Sequence, residues 1–259
     1  REIPVDFQET VLSDCHRLGK ELIVESRTEQ LTDEKLAWAS KLNPSFTVAI
    51  GLEAYDDEVL RFHVNKGFSV ASWDRAVECL ERHNLRIKTY LMFKPPFMSE
   101  ADALDHCITW IESVAEKSDE ISINPMNIQR GTVIDRLHRH QEYRPPWLWS
   151  LVELIQKSHH IVHPNGGMNG DEDQISRLII HPTAGGKIRG SHNCGACDPE
   201  VVAAIERYAV SGSLDEFTGI DCECKSLWRK ELENDRTIPV PLGTSRQRRG
   251  SIIEMLRSS

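Results

Sequence analysis

Four of the seven cysteines fall in two tight pairs, Cys194-Gly195-Ala196-Cys197 and Cys222-Glu223-Cys224. A C-x-x-C turn aims two sulfurs at one point. A second pair about 25 residues on completes a tetrahedral thiolate set of the kind zinc prefers. Two such pairs without a secretory leader favour a metal over disulfides. The donor set suits zinc best and leaves an iron–sulfur cluster and a metal-free turn as alternatives. His192 is a candidate substitute ligand or a donor to the sulfurs. Cys15, Cys79 and Cys107 stand singly inside helix-like patterns and read as buried structural thiols.

A second set of polar residues closes a series of apolar runs: Glu25, Glu53, Lys94 and Asn124. In a parallel α/β sheet or barrel, ligands gather at the C-terminal ends of the strands. A single polar strand end can simply face water. Four in succession mark a candidate ligand mouth.

The elements that position these residues alternate. Strands are expected at 21–26, 46–53, 86–93 and 120–127, and helices at 32–42, 72–85, 99–118 and 145–158. Thr32, Ser72 and Ser99 are the expected N-caps, and Pro145-Pro146 stand at the last start. Repeated βα units imply parallel strands with right-handed crossovers. Short apolar strands fit a sheet covered by helices. After residue 160 the rhythm changes. Residues 159–174 read as loop, 176–190 hold one more strand and a Gly-rich turn, and helices at 198–210 and 226–235 follow the two cysteine pairs. The expected organisation is an α/β body over 1–160, a Cys-rich metal-stapled appendage over 161–235, and a tail over 236–259 ending in a short helix.

The 259 residues carry a formal net charge of −9, with 39% hydrophobic and 27% charged residues. That composition suits a globular domain with a sizeable core. No apolar run reaches membrane-spanning length and no signal peptide leads the chain, so a cytoplasmic location without membrane contact is expected. An acidic chain is poorly made to hold nucleic acid unaided. The clearest basic run, Arg246-Gln247-Arg248-Arg249, reads as a solvated tail. The first residue is Arg, so the natural N-terminus is expected to lie upstream.

Several strings resemble the radical S-adenosylmethionine superfamily. "VESRTEQLTDEKL" (24–36) is similar to a strand-then-helix unit of its Elongator-like and tRNA-modifying branches, with their E-x-R. "VAIGLEAYDDEVLRFHVNKGFSVASWDRAVECL" (48–80) resembles the next unit, with G-L-E, an acidic turn and N-K-G. In "LRIKTYLMFKPPFMSEADAL" (85–104) Lys94-Pro95-Pro96-Phe97 replaces the usual G-x-P-G turn. "INPMNIQRGTVIDRLHRHQEYRPPWLWSLVELI" (123–155), "GGKIRGSHNCGACDPEV" (185–201) and "GIDCECKSLWRKELE" (219–233) more specifically resemble an archaeal radical S-adenosylmethionine family of archaeosine biosynthesis.

That resemblance implies the C-terminal part of a partial (β/α)6 barrel, starting near its third unit. It implies S-adenosylmethionine and a 4Fe–4S cluster as cofactors. No C-x-x-x-C-x-x-C occurs in these residues, so the cluster ligands are expected in an N-terminal region outside them and the chain alone is expected to be inactive. The implied reaction breaks a carbon–nitrogen bond of a lysine adduct on a deazaguanine base in tRNA, with a synthase partner subunit. Glu53 is expected to accept from the ribose hydroxyls or the amine of S-adenosylmethionine. Arg27 is expected to pair its carboxylate and Glu25 to orient Arg27, with a surface ion pair of Arg27 to Glu25 or Glu29 as the alternative. Met92 and Phe93 would wall the adenine, and Asn124 would bind ribose or substrate. Lys187 and Arg189, in the Gly-rich turn, are candidates for a phosphate or a substrate carboxylate. The alternatives are another radical S-adenosylmethionine tRNA-modifying enzyme and a non-catalytic, zinc-stapled docking module.

Overall fold

The computed structural model describes residues 3–164 and 176–237. Helix α1 (Val5–Arg17) leads into β1 (Ile23–Ser26), α2 (Asp33–Leu42), β2 (Thr47–Glu53) and a short α3 (Asp57–Val59) that runs into a π turn over Leu60–Val64. Then come α4 (Val70–Arg82), β3 (Arg86–Phe93), α5 (Glu100–Val114), β4 (Glu120–Pro125), α6 (Val133–Arg139), α7 (Leu148–Val162), β5 (Arg177–Ile180), α8 (Asp198–Ser211) and α9 (Lys225–Thr237). The five strands form one parallel sheet in chain order. The α/β class and the parallel strands are those read from the sequence.

Sequential parallel order puts the crossovers on one side of the sheet when they keep a single hand. Accordingly α4 packs on β2 and β3, α5 on β3, and α7 and α8 on β5. The strand residues facing these helices are almost all apolar and buried, among them Val48, Ile50, Leu52, Ile87, Leu91, Phe93, Ile121, Ile123, Leu178 and Ile180. One continuous core runs from Leu12 through the sheet to Trp228 and Leu232, so α8 and α9 share it with the strands. A smaller cluster of Ile128, Ile134, Leu137 and Tyr143, with Phe97 and Met126 against it, lies under α6.

Local signals set most of the boundaries. The Thr32 hydroxyl accepts from Lys35 N (3.4 Å) to start α2, and the Ser99 hydroxyl accepts from Asp102 N (3.1 Å) to start α5. One expected cap is corrected. Helix α4 starts three residues earlier than expected, because the hydroxyl of Ser69, in extended backbone, accepts from Ser72 N at 3.3 Å. Its buried stripe is Trp73, Ala76, Val77 and Leu80. Helix α7 begins only at Leu148, beyond both prolines, because Trp147 N is drawn to Glu100 Oε1 (2.9 Å) and stays extended. Helix α1 is anticipated only by the helix-like pattern around Cys15, and helix α6 has no counterpart in the expected elements. The tail's expected short helix and the arginine run at 246–249 lie outside the described residues, as does most of the loop expected over 159–174.

Candidate functional site

At the end of β2 the ladder shifts register against β3 between Gly51 and Glu53, and Glu53 takes a left-handed φ of 74°. A non-glycine residue held there marks a constrained position. Downstream, Asp56 caps α3 by accepting from Glu58 N (2.8 Å) and Val59 N (3.1 Å). The π turn ends at Asn65 (φ 59°), Lys66 follows, and Gly67 takes a φ of 83°. This Asn-Lys-Gly turn returns Lys66 to the strand end, where its Nζ donates to Glu53 Oε1 at 2.8 Å. Gly51 leaves room for the pair. A Cβ there would stand 2.8 Å from Glu53 Oε1 and 3.0 Å from Lys66 Nζ. Arg27 Nη2 lies 3.8 Å from where a Gly67 Cβ would be, so the E-x-R and N-K-G segments meet at one mouth.

The sheet face turned away from the helices carries this mouth's floor. The register row Glu25, Ala49, Lys88, Glu120, Arg177 crosses all five strands. Lys88 Nζ pairs with Glu120 Oε1 at 2.5 Å, and Arg177 Nη1 stands 3.8 Å from Glu120 Oε2. Tyr90 donates its hydroxyl to Glu25 Oε1 at 3.2 Å, and its pKa is raised by burial and then by the Glu25 charge. Parallel sheets usually bury both faces in apolar packing. Here one face holds charged and part-exposed groups, the pattern of a barrel lumen rather than of a second helix layer.

The expected site residues divide on inspection. Glu25, Met92 and Asn124 lie on this polar face, Met92 beside Asn124 in the β3–β4 register. Phe93 does not. Strand alternation turns it to the helix side, where it is fully buried, so an apolar wall of Met92 and Phe93 together is corrected to Met92 alone. Arg27 gives its Nε to Glu29 Oε1 rather than to Glu25. Lys94 is not a mouth residue. It stands 5% exposed with its Nζ 2.6 Å from Glu100 Oε2, and Glu100 is wholly buried. The proline-rich turn replaces a ligand-facing end with an internal ion pair. Lys187 is exposed in its turn. Arg189 is committed internally, its Nη2 2.6 Å from Asp135 Oδ1 and its Nε donating to Ile128 O at 3.0 Å.

The cysteines converge. The sulfurs of Cys194 and Cys197 are 3.8 Å apart, those of Cys194 and Cys222 3.7 Å, and those of Cys197 and Cys224 3.7 Å. Four thiolates at about 2.3 Å from one tetrahedral ion stand about 3.8 Å from each other, so these three spacings match a zinc site, and all four sulfurs lie within 4.8 Å of one another. The turn is built for it. Gly195 takes a φ of 92°, and Asn193 N and Gly195 N both donate to the buried Asp198 Oδ1 at 3.1 Å. Cys197 precedes α8, with Pro at its start. Cys224 O accepts from Leu227 N and Trp228 N at the head of α9. Two side chains donate to sulfur, Trp149 Nε1 to Cys224 at 3.2 Å and Asn193 Nδ2 to Cys197 at 3.4 Å. The Cys194 thiol is lowered to about 7, chiefly by the Cys197 backbone N–H, whereas burial pushes Cys197 up. His192 stays out of the sulfur cluster. Its Nδ1 lies 2.8 Å from Gly190 O, and burial lowers its pKa.

No helix among the described residues is long and apolar enough to cross a membrane. No protein-family model matches the chain. It is 34% identical over 234 residues to an archaeosine synthase subunit beta of Methanosarcina acetivorans, covering 89% of this chain and 64% of that one. It is 34% identical over 218 residues to the archaeosine synthase subunit beta of Thermococcus kodakarensis, covering 83% of this chain and again 64% of the relative. The chain thus spans just under two thirds of the length of these curated relatives. Among solved structures it resembles the archaeal Methanocaldococcus infernus Elp3 with an N-terminal deletion. That likeness has a TM-score of 0.52 at 18% identity over 78% of this chain and 43% of that one, a likeness of fold.

Proposed function

We propose that the chain is part of a radical S-adenosylmethionine lyase that cleaves a carbon–nitrogen bond of a lysine adduct on a deazaguanine base in tRNA, leaving archaeosine. The observation that carries this reading is the 34% identity, over 89% of the chain, to a protein named archaeosine synthase subunit beta. The fold likeness to Elp3 agrees with the Elongator-like strings at 24–36 and 48–80.

The residues at the β2 mouth fit S-adenosylmethionine. Its amino-acid head carries one cation and one carboxylate, and the mouth offers Glu53 beside Lys66, with Arg27 adjoining. Glu53 accepts from the amine or the ribose hydroxyls, and Lys66 holds the Glu53 carboxylate in place. Gly51 keeps the floor low beneath them. Met92 gives the adenine an apolar contact, and Asn124 beside it accepts or donates to ribose or substrate. When bound and reduced through a 4Fe–4S cluster, S-adenosylmethionine supplies a hydrogen-abstracting radical. The chain's part is to hold, orient and shield. The cluster ligands fall outside these residues, since no C-x-x-x-C-x-x-C occurs among them. Cys194, Cys197, Cys222 and Cys224 hold a structural zinc that ties the heads of α8 and α9 to the body.

The partner is a synthase subunit that places the lysine on the base. The test is anaerobic turnover of a lysine-adduct tRNA by the full-length protein with that subunit, followed by nucleoside analysis. Archaeosine is expected. An unchanged adduct with cluster and cofactor loaded overturns the proposal.

A further inference from the structure

The chain is acidic overall, but two segments that the fold brings together carry an excess of positive charge. Residues 128–144 hold Arg130, Arg136, Arg139 and Arg144 against Asp135 and Glu142, and the turn at 184–192 adds Lys187 and Arg189 with no carboxylate. The fold joins these distant segments. Ile128 N donates to Arg189 O at 2.8 Å, Arg189 Nε donates to Ile128 O at 3.0 Å, and Arg189 Nη2 reaches Asp135 Oδ1 at 2.6 Å. Asp135 Oδ2 also takes Gly131 N and Arg139 Nη2, both at 3.0 Å. The Arg189 guanidinium, first among these donors, holds its carboxyl at about 2. One of the two acids is therefore buried and spent internally, and the exposed charge, Glu142 included, is positive on balance.

The lobe is built around its own small core. Its second segment is fixed by Gly190, where a Cβ would stand 2.2 Å from Ala184 O. Arg130, Arg136 and Lys187 are exposed, and the apolar side chains among them, Val133 and Ile188, are 53% and 73% exposed. Because it follows β4 directly, the lobe stands at the C-terminal end of the sheet, the end that carries Asn124 and, two strands away, Glu53.

We propose that this lobe is the chain's grip on RNA phosphates: Arg130, Arg136 and Lys187 neutralise the tRNA backbone and lay it across the mouth, with Val133 and Ile188 against sugar or an unstacked base. The inference rests on the tRNA reading above and adds the surface. On a chain of formal net charge −9, a cationic patch steers a polyanion toward itself.

The experiment is fluorescence anisotropy of a labelled tRNA transcript with the full chain between 50 and 200 mM salt. The triple variant Arg130→Gln/Arg136→Gln/Lys187→Gln spares Arg139 and Arg189, which hold Asp135. Each lost phosphate contact lowers the salt slope by about 0.7–0.9, so a fall of about 2–3 is expected. Affinity at 100 mM should drop at least tenfold, on the order set by that slope. Lys20→Gln/Lys41→Gln/Lys157→Gln removes the same charge from other exposed positions and should bind as wild type. A charge reversal, Arg136→Glu, repeats the test should the triple variant not fold. An unchanged slope in the triple variant, or an equal loss in the control, overturns the inference and leaves the turnover reading intact. Retained tRNA binding with loss of the synthase subunit would make the lobe a protein face and also overturn it. Failure of the tRNA reading itself shows separately, as an unchanged adduct in nucleoside analysis.

Discussion

Replacing Trp149 by Phe should weaken metal binding without dismantling the cysteine cluster. The indole Nε1–H donates to Cys224 Sγ at 3.2 Å, and both residues are buried, at 2% and 7% exposure. A hydrogen bond to a charged acceptor contributes about 1.5–3 kcal/mol. Loss of a group that supports a metal ligand typically costs about 10–100-fold in affinity, or about 1.4–2.8 kcal/mol at 1.4 per decade. The two estimates agree, and the expected fall in zinc affinity is roughly 10–100-fold. Packing loss alone must be separated from this. Trp228→Phe provides the control, because Trp228 is 3% exposed and donates its Nε1 to Ser150 Oγ at 2.8 Å, not to sulfur. Both variants lose ring volume and one hydrogen bond, and only Trp149→Phe touches a ligand. The assay is anaerobic competition against a chromophoric zinc chelator at neutral pH. Equal affinities for Trp149→Phe and wild type, or equal losses in both variants, would refute the donor's role.

Three further outcomes follow from the same geometry. Gly51→Ala places a Cβ against the movable ends of Glu53 and Lys66. The protein should fold and melt nearly as wild type, while S-adenosylmethionine binding to the full-length protein, read by calorimetry, weakens about ten- to a hundred-fold, as for a lost charged hydrogen bond in Glu53→Ala. Glu100→Ala leaves Lys94 buried without its partner and Trp147 N without its acceptor. A loss of about 3–5 kcal/mol is expected in denaturant unfolding, and a loss under 1 kcal/mol would mean that Lys94 escapes to water. The Asp135 pKa is depressed, so its contribution to stability is complete above its unfolded value of about 4 and is lost as pH falls through about 2. Protection of the Gly131 amide, whose N–H donates to that carboxylate, should fall across this window once exchange is referred to the intrinsic rate at each pH. In Arg189→Met it should already be low at neutral pH.

The sequence exposed whatever depends on near neighbours. The run at 47–53 became a strand because it is largely apolar and 86–93 because its buried positions alternate, both end in turn residues, and the Ser99 and Thr32 caps lie within three residues of the N–H groups they serve. The four-cysteine centre was legible for the same reason, since each pair is its own local motif. The less visible features depend on distant partners. Lys66 meets Glu53 only because a π turn and two left-handed residues bring it back. The N-K-G string, with Gly67 at φ 83°, was the available signal for that return. Lys94 reads as a polar strand end until Glu100, one helix start away, draws it inward. Phe93 shares the helix-facing side of its strand with Ile87 and Leu91, a placement that strand alternation alone dictates. Helix α6 was missed because seven residues with two apolar anchors, Ile134 and Leu137, give too short a period to stand out.

The central claim is that radical cleavage of a lysine adduct yields archaeosine at the mouth formed by Glu53 and its neighbours. The most direct measurement is the ratio of 5′-deoxyadenosine to archaeosine, by mass spectrometry, in single-turnover reactions of the full-length protein with the proposed synthase subunit and adduct tRNA. The account predicts one equivalent of each in wild type, and both falling together in Glu53→Ala. Archaeosine formed without 5′-deoxyadenosine, or 5′-deoxyadenosine released while the adduct stays intact, would contradict it.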